Sequence, residues 1–149
     1  WKGDVPDDEY LIPLGRADVK RSGGDVTLVT YSKPLKTVME AAEKLAEDGI
    51  EAEVVDLRSV RPLDEESVFA SVNKTHRCVV VDESWPVCSV GSYVAHRISR
   101  TCFDMLDAPV ELVASEDVPM PYNHRLELAV QPSVSRVAEA VRRVMYIDN

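Results

Sequence analysis

Residues 26–57 read VTLVTYSKPLKTVMEAAEKLAEDGIEAEVVDL, and this stretch decides the fold. Val26 to Tyr31 is an apolar, β-branched run of strand length, and Ala52 to Leu57 is a second. Between them Leu35, Val38, Met39, Ala42, Leu45 and Ala46 recur with the 3.6-residue period of one buried helix face. Pro34 suits the first helical turn, where its missing N–H is not needed, and Gly49 suits the point where the chain must leave the helix. A strand, a helix and a strand at this spacing make one right-handed crossover between parallel strands.

Working outward, the same alternation continues to the end of the chain. Asp64 is a natural N-cap for a helix whose inner face carries Val68 and Val72. Cys78 to Val81 is a third strand, followed by a helix from about Gly91 to Leu106 with Val94, Ile98, Cys102 and Met105 or Leu106 turned inward. Val110 to Val113 is a fourth, followed after Pro132-Ser133 by a helix presenting Val134, Val137, Val141, Val144 and Met145. Strand starts at 26, 52, 78 and 110 leave room for one crossover helix each, which predicts an α/β fold with a doubly wound, mainly parallel sheet over residues 26–149. Residues 1–25, rich in Asp, Glu, Pro and Gly, read as an arm or linker that adds an edge strand at Ala17 to Lys20 before a turn at Arg21 to Asp25.

The 149 residues carry 17 Lys+Arg against 26 Asp+Glu, a formal charge of −9 with histidines neutral. That sign argues against nucleic acid, whose binding works by basic side chains displacing condensed counterions. Apolar runs of about four residues fall far short of the roughly 20 needed to cross a bilayer, so no membrane partner is expected. Trp1 in place of Met, with neither a signal nor a transit pattern after it, leads us to expect a chain that begins within a longer polypeptide. Cys78, Cys88 and Cys102 are odd in number and lack CxxC spacing, which predicts reduced thiols, with Cys78 and Cys102 buried as small apolar residues.

Ligands of such sheets sit beyond the carboxyl ends of the strands, here Thr30-Tyr31-Ser32, Asp56-Leu57-Arg58, Asp82-Glu83-Ser84-Trp85 and Ser115-Glu116-Asp117. No strand is followed by GxGxxG or GxxxxGK[ST], so the backbone cradle for a phosphate is missing, and the carboxylates there repel one. Asp82, Glu83, Glu116 and Asp117 suit an acid/base pair or a hard cation, or else cap helices, pair with Arg58 or Arg61, or stay solvated. His76 before a strand, His96 within a helix and His124 in a loop have no metal-ligand spacing, and Ser32, Ser84, Ser89 and Ser92 lack a GxSxG elbow. Missing parts of this kind favour an assembly module over a catalytic one.

Asp56-Leu57-Arg58-Ser59-Val60-Arg61-Pro62-Leu63-Asp64 resembles the DLR-(S/T)-(V/I)-RPLD signature of the C-terminal domain of transketolase-like thiamine enzymes. Val26 to Ser32, Glu40 to Leu45, Ser84-Trp85-Pro86 with Val90-Gly91, Phe103 to Val110 and Asp117 to Tyr122 agree in order, and the last two look most like the β subunits of pyruvate dehydrogenase E1. Even Asp8 to Ala17 resembles the segment leading into that domain.

The resemblance implies an enzyme that decarboxylates pyruvate on thiamine diphosphate, with magnesium, and passes the acetyl group to a lipoyl arm of E2. It implies an α2β2 assembly whose partners are the E1 α subunit, a second β subunit and the peripheral subunit-binding domain of E2. The cofactor-activating glutamate of that family lies in a β pyrimidine-binding domain that these residues do not include, so no catalytic, cofactor-binding or metal-binding residue is assigned and the chain alone is expected to be inactive. Carried over position by position, E2 docking falls on Asp107 in the LDAPV-type turn and on the neighbourhood of Tyr146. A eukaryotic source implies the mitochondrial matrix and a bacterial one the cytoplasm. Two alternatives stay open: the β subunit of a branched-chain 2-oxoacid dehydrogenase, and a stand-alone α/β domain that binds a small ligand near Arg58 and Tyr31.

Overall fold

A computed structural model describes residue 4 and residues 6–147. The five strands are β1 (Asp18–Arg21), β2 (Val26–Thr30), β3 (Ala52–Asp56), β4 (Cys78–Val81) and β5 (Glu111–Val113). They lie in the order β1-β3-β2-β4-β5, with β2 to β5 parallel and β1 antiparallel along the edge of β3. The helices are α1 (Pro34–Glu47), α2 (Glu65–Thr75), α3 (Val90–Thr101), α4 (His124–Val130) and α5 (Val134–Met145). None of these helices is long and apolar enough to cross a membrane.

Strand side chains alternate between two cores, as the pleat requires. Val26, Leu28, Ala52, Val54, Val79 and Val81 pack with Val38, Ala41, Leu45, Val137, Ala140 and Val141 of α1 and α5. Val29, Val55, Cys78 and Val80 pack on the other face with Val68 and Val72 of α2 and Val94 and Ile98 of α3. Strands covered on both sides read as near-continuous apolar runs, and β2, β3 and β4 are buried at every position. Gly49 takes φ +81° where α1 ends, and the Asp64 side chain accepts from the Ser67 N–H at 3.2 Å to open α2.

Three expectations need correcting. The helix foreseen to Leu106 stops at Thr101, and a separate 3₁₀ turn follows over Phe103–Met105, leaving Met105 exposed and Leu106 only partly buried. Of the two residues foreseen as alternatives for the inner face, Leu106 packs against the core of Val94, Ile98 and Cys102, and Met105 does not. His124 is not in a loop: it opens α4, capped by Asn123, whose side-chain oxygen accepts from the N–H groups of Arg125 and Leu126. The edge strand sits one residue later than foreseen, at Asp18–Arg21.

Candidate functional site

After β2 the chain enters α1 on one face of the sheet, and after β4 it enters α3 on the other, so a crevice between the carboxyl ends of β2 and β4 is the place where folds of this winding take ligands. Here the crevice is occupied by the protein itself. The Tyr31 hydroxyl, just beyond β2, donates to Asp82 Oδ1 beyond β4 at 3.0 Å. The Ser84 N–H and hydroxyl donate to the same oxygen at 2.9 and 2.7 Å, and the Gly91 N–H at the start of α3 donates to Oδ2 at 2.7 Å. Asp82 has no exposed surface. Burial pushes the Tyr31 phenol above its ordinary value, keeping it a donor at neutral pH. Residue 91 must be glycine for this closure, since a Cβ there would lie 2.8 Å from Asp82 Cβ and 2.9 Å from Leu112 Cδ1.

The expectation that Asp82 caps a helix holds only in the sense that it reaches the first turn of α3, whose N-cap is Ser89; among the described residues it pairs with no arginine. Arg58 turns to Asp18 of the edge strand at 2.7 Å, away from Tyr31, so the two residues of the foreseen small-ligand pocket serve different internal partners. Glu116 pairs with Arg136 at 3.2 Å, and Glu83 lies 4.0 Å from Lys33. Asp64 accepts from the Ala17 N–H at 3.0 Å as well as from Ser67, and although burial opposes it, these donors hold its carboxyl below the usual range.

These residues do not fit thiamine diphosphate or magnesium. The crevice turns the buried carboxyl of Asp82 where a diphosphate needs donors, and among the described residues no group of three or more His, Cys, Asp or Glu is arranged to hold a metal ion. Cys78 and Cys102 are buried, and burial pushes both thiols up, Cys78 far above the usual range, while Cys88 is exposed. The open groove between the β3–α2 loop and α3 mixes Arg16 and Arg61 with Asp64, Glu65 and Glu66.

At the opposite, amino ends of the strands the arrangement is open. Asp107 and Tyr146, 39 residues apart, come together: the Tyr146 hydroxyl donates to the Asp107 main-chain oxygen at 3.4 Å. The Asp107 N–H donates to the His76 oxygen at 2.8 Å, and His76 Nδ1 donates to the Met105 oxygen at 2.8 Å. His76 makes this turn by taking φ +60° at the end of α2. The Asp107 carboxylate is half exposed and meets Arg77 Nη2 at 3.0 Å. Beside it Ser99, Phe103, Leu106, Ala108, Pro109 and Val110 line a shallow groove of about 610 Å³. Phe103, Tyr146 and Ile147 are exposed. Tyr146 closes α5 in the left-handed conformation, its N–H donating to the Arg143 oxygen at 3.1 Å.

Residues 15–137 match the family model of the transketolase C-terminal domain. The chain belongs to that family. Among curated relatives this transketolase C-terminal domain is 48% identical over 143 residues to the mitochondrial pyruvate dehydrogenase E1 component subunit beta of Drosophila melanogaster, covering 95% of the chain and 39% of the relative. It is 42% identical over 144 residues to the acetoin:2,6-dichlorophenolindophenol oxidoreductase subunit beta of Bacillus subtilis, covering 97% and 42%. Among solved structures a split-gene transketolase, described as an inactive β4 tetramer, superposes with a TM-score of 0.79 at 29% identity over 98% of the chain and 46% of that protein. The chain thus spans about two-fifths of the length of the curated relatives it matches.

Proposed function

We propose that this transketolase C-terminal domain serves as the assembly and E2-docking part of a pyruvate dehydrogenase E1 β subunit, with residues 1–25 leading in from a pyrimidine-binding domain and residues 26–149 forming the docking domain. In the intact enzyme thiamine diphosphate and magnesium supply the decarboxylation chemistry; this chain's residues contribute surfaces to the E1 α subunit, to the second β subunit and to the peripheral subunit-binding domain of E2. In a eukaryote the site of action is the mitochondrial matrix. Isolated, the chain is inactive.

The observation that carries this reading is the contrast in wiring. The crevice that a ligand-binding domain of this winding keeps open is closed by Tyr31, Ser84 and Gly91 on Asp82. Meanwhile Asp107 and Tyr146, the two positions that the family resemblance marks for docking, form one exposed corner beside an apolar groove. A half-exposed carboxylate flanked by apolar surface suits a basic partner that also buries an apolar side chain. The −9 charge of the whole chain adds long-range attraction for that partner.

Titration of the chain with the isolated peripheral subunit-binding domain of E2, at low and at high salt, tests this. Saturable binding that weakens with salt is expected, and Asp107→Lys should weaken it by about tenfold or more, since it turns an attraction into a like-charge contact. Undiminished binding by Asp107→Lys would remove docking from this corner.

A further inference from the structure

Asp107 is held on three sides before any partner arrives. Its N–H is tied to the His76 oxygen, its carbonyl receives the Tyr146 hydroxyl, and its carboxylate Oδ2 is taken by Arg77. Arg77 is itself well anchored, its main-chain oxygen accepting from the Thr27 N–H at 2.8 Å and the Thr75 hydroxyl at 3.1 Å at the entrance to β4. Its guanidinium, in contrast, is poorly satisfied: Nε is buried and has no hydrogen-bond partner among the described residues. The side chain meets Asp107 through Nη2 on Oδ2, with Nε left out of the pair.

We propose that Arg77 is an internal competitor at the docking site, one that occupies Asp107 in the free chain and lowers its affinity for a basic partner. This rests on the reading of Asp107 as a docking residue. A carboxylate receives an incoming guanidinium best through both oxygens, in a parallel fork. With Oδ2 engaged, a partner's arginine finds only Oδ1 and meets the like charge of Arg77 beside it. The pair is half exposed on the Asp107 side but mostly covered on the Arg77 side, so water screens the attraction only in part, and Arg77 attenuates docking without blocking it. The ties through His76 and Tyr146 use main-chain atoms of Asp107, so the carboxylate can change partners while the turn stays where it is. The partner chemistry that follows is an arginine-bearing face able to replace Arg77, next to an apolar side chain for the groove between Phe103 and Val110.

The test compares Arg77→Gln, Arg77→Lys, Asp107→Lys and a remote charge-matched control, Arg61→Gln, in titrations of the 149-residue chain with the isolated E2 peripheral subunit-binding domain. Arg77→Gln should bind about three- to tenfold tighter than the natural chain, the range expected when one like charge is lifted from a half-exposed site. Arg61→Gln should change affinity by less than about twofold, because it alters only the overall charge. Arg77→Lys, which keeps the charge, should stay within about twofold of the natural chain. Binding by Arg77→Gln that is no tighter than by Arg61→Gln, or that is weaker, overturns the competitor role, as does a gain by Arg77→Lys equal to that of Arg77→Gln. Those failures leave docking intact if Asp107→Lys still weakens binding. If neither the natural chain nor any variant binds, or if Asp107→Lys binds as well as the natural chain, the docking reading falls and Arg77 falls with it.

Discussion

Two carboxylates mark the two ends of the parallel strands, and they live in opposite circumstances. Asp82, beyond the carboxyl end of β4, has no exposed surface and receives Tyr31, Ser84 twice and Gly91. Asp107, at the amino end of the sheet, keeps its side chain about half in solvent with one cation on one oxygen. In a doubly wound sheet the carboxyl ends are the usual place for chemistry, because helix N-termini and strand-end loops converge there. This protein uses that convergence to lock β2, β4 and α3 together. At the other end, where the helices finish, Asp107 stays half in solvent beside the groove lined by Phe103 and Val110. Position in a fold is therefore a poor guide to function until the polar groups have been accounted for one by one.

The largest effect is expected from Asp82→Leu. It leaves the Gly91 N–H, the Tyr31 hydroxyl and the Ser84 donors without their acceptor, and a loss of about 3 kcal/mol in urea unfolding is expected. A loss below about 1 kcal/mol would mean that the crevice is not held shut by this residue, and a ligand there would have to be reconsidered.

A second measurement concerns the buried part of the amino end, where Glu53 accepts from Ser71 at 2.6 Å, from Gly23 at 3.4 Å and from Lys74. Burial alone would raise this carboxyl, but the Lys74, Ser71 and Gly23 donors together hold it below its ordinary value. A depressed folded value means that its stabilisation is fully present above the unfolded value near 4.5 and is lost as pH falls through the folded one. Glu53→Gln should thus cost about 1 to 2 kcal/mol at neutral pH, and the gap to the natural chain should narrow progressively in unfolding curves taken as the pH falls below 4.5. A gap that is independent of pH would show that Glu53 acts through packing instead.

The smallest effect is expected from Tyr146→Phe. Its hydroxyl reaches the Asp107 oxygen at 3.4 Å, a long bond, so docking should change by less than about twofold and thermal unfolding hardly at all. A larger loss of docking would make Tyr146 a contact of the partner itself and not only a brace for Asp107.

Much of the fold was legible in the sequence because its signals are local. The valine-rich runs, the 3.6-residue stripes, Pro34, Gly49 and the Asp64 cap each declare themselves within a few residues, and each appears where expected. Helix α4 was missed because Leu126 and Leu128 stay exposed, so it has no buried face to print a stripe. The break after Thr101 was missed because no glycine or proline marks it. Of the candidate site, the acidic strand ends were visible, and the family resemblance drew attention to Asp107 in the LDAPV-type turn and to the neighbourhood of Tyr146. Their partners were not.

Sequence by itself determined the alternation of strands and helices, the two apolar faces that bury β2 to β4, and membership of a family with long, specific motifs. Which carboxylate is sealed and which stays half in solvent was settled by packing between distant segments. Tyr31 meets Asp82 across 51 residues, Arg77 meets Asp107 across 30, and Tyr146 meets it across 39. A side chain's charge is written in its residue type, but its solvation and its partner depend on what the fold brings within about 3 Å, and no local pattern encodes that distance.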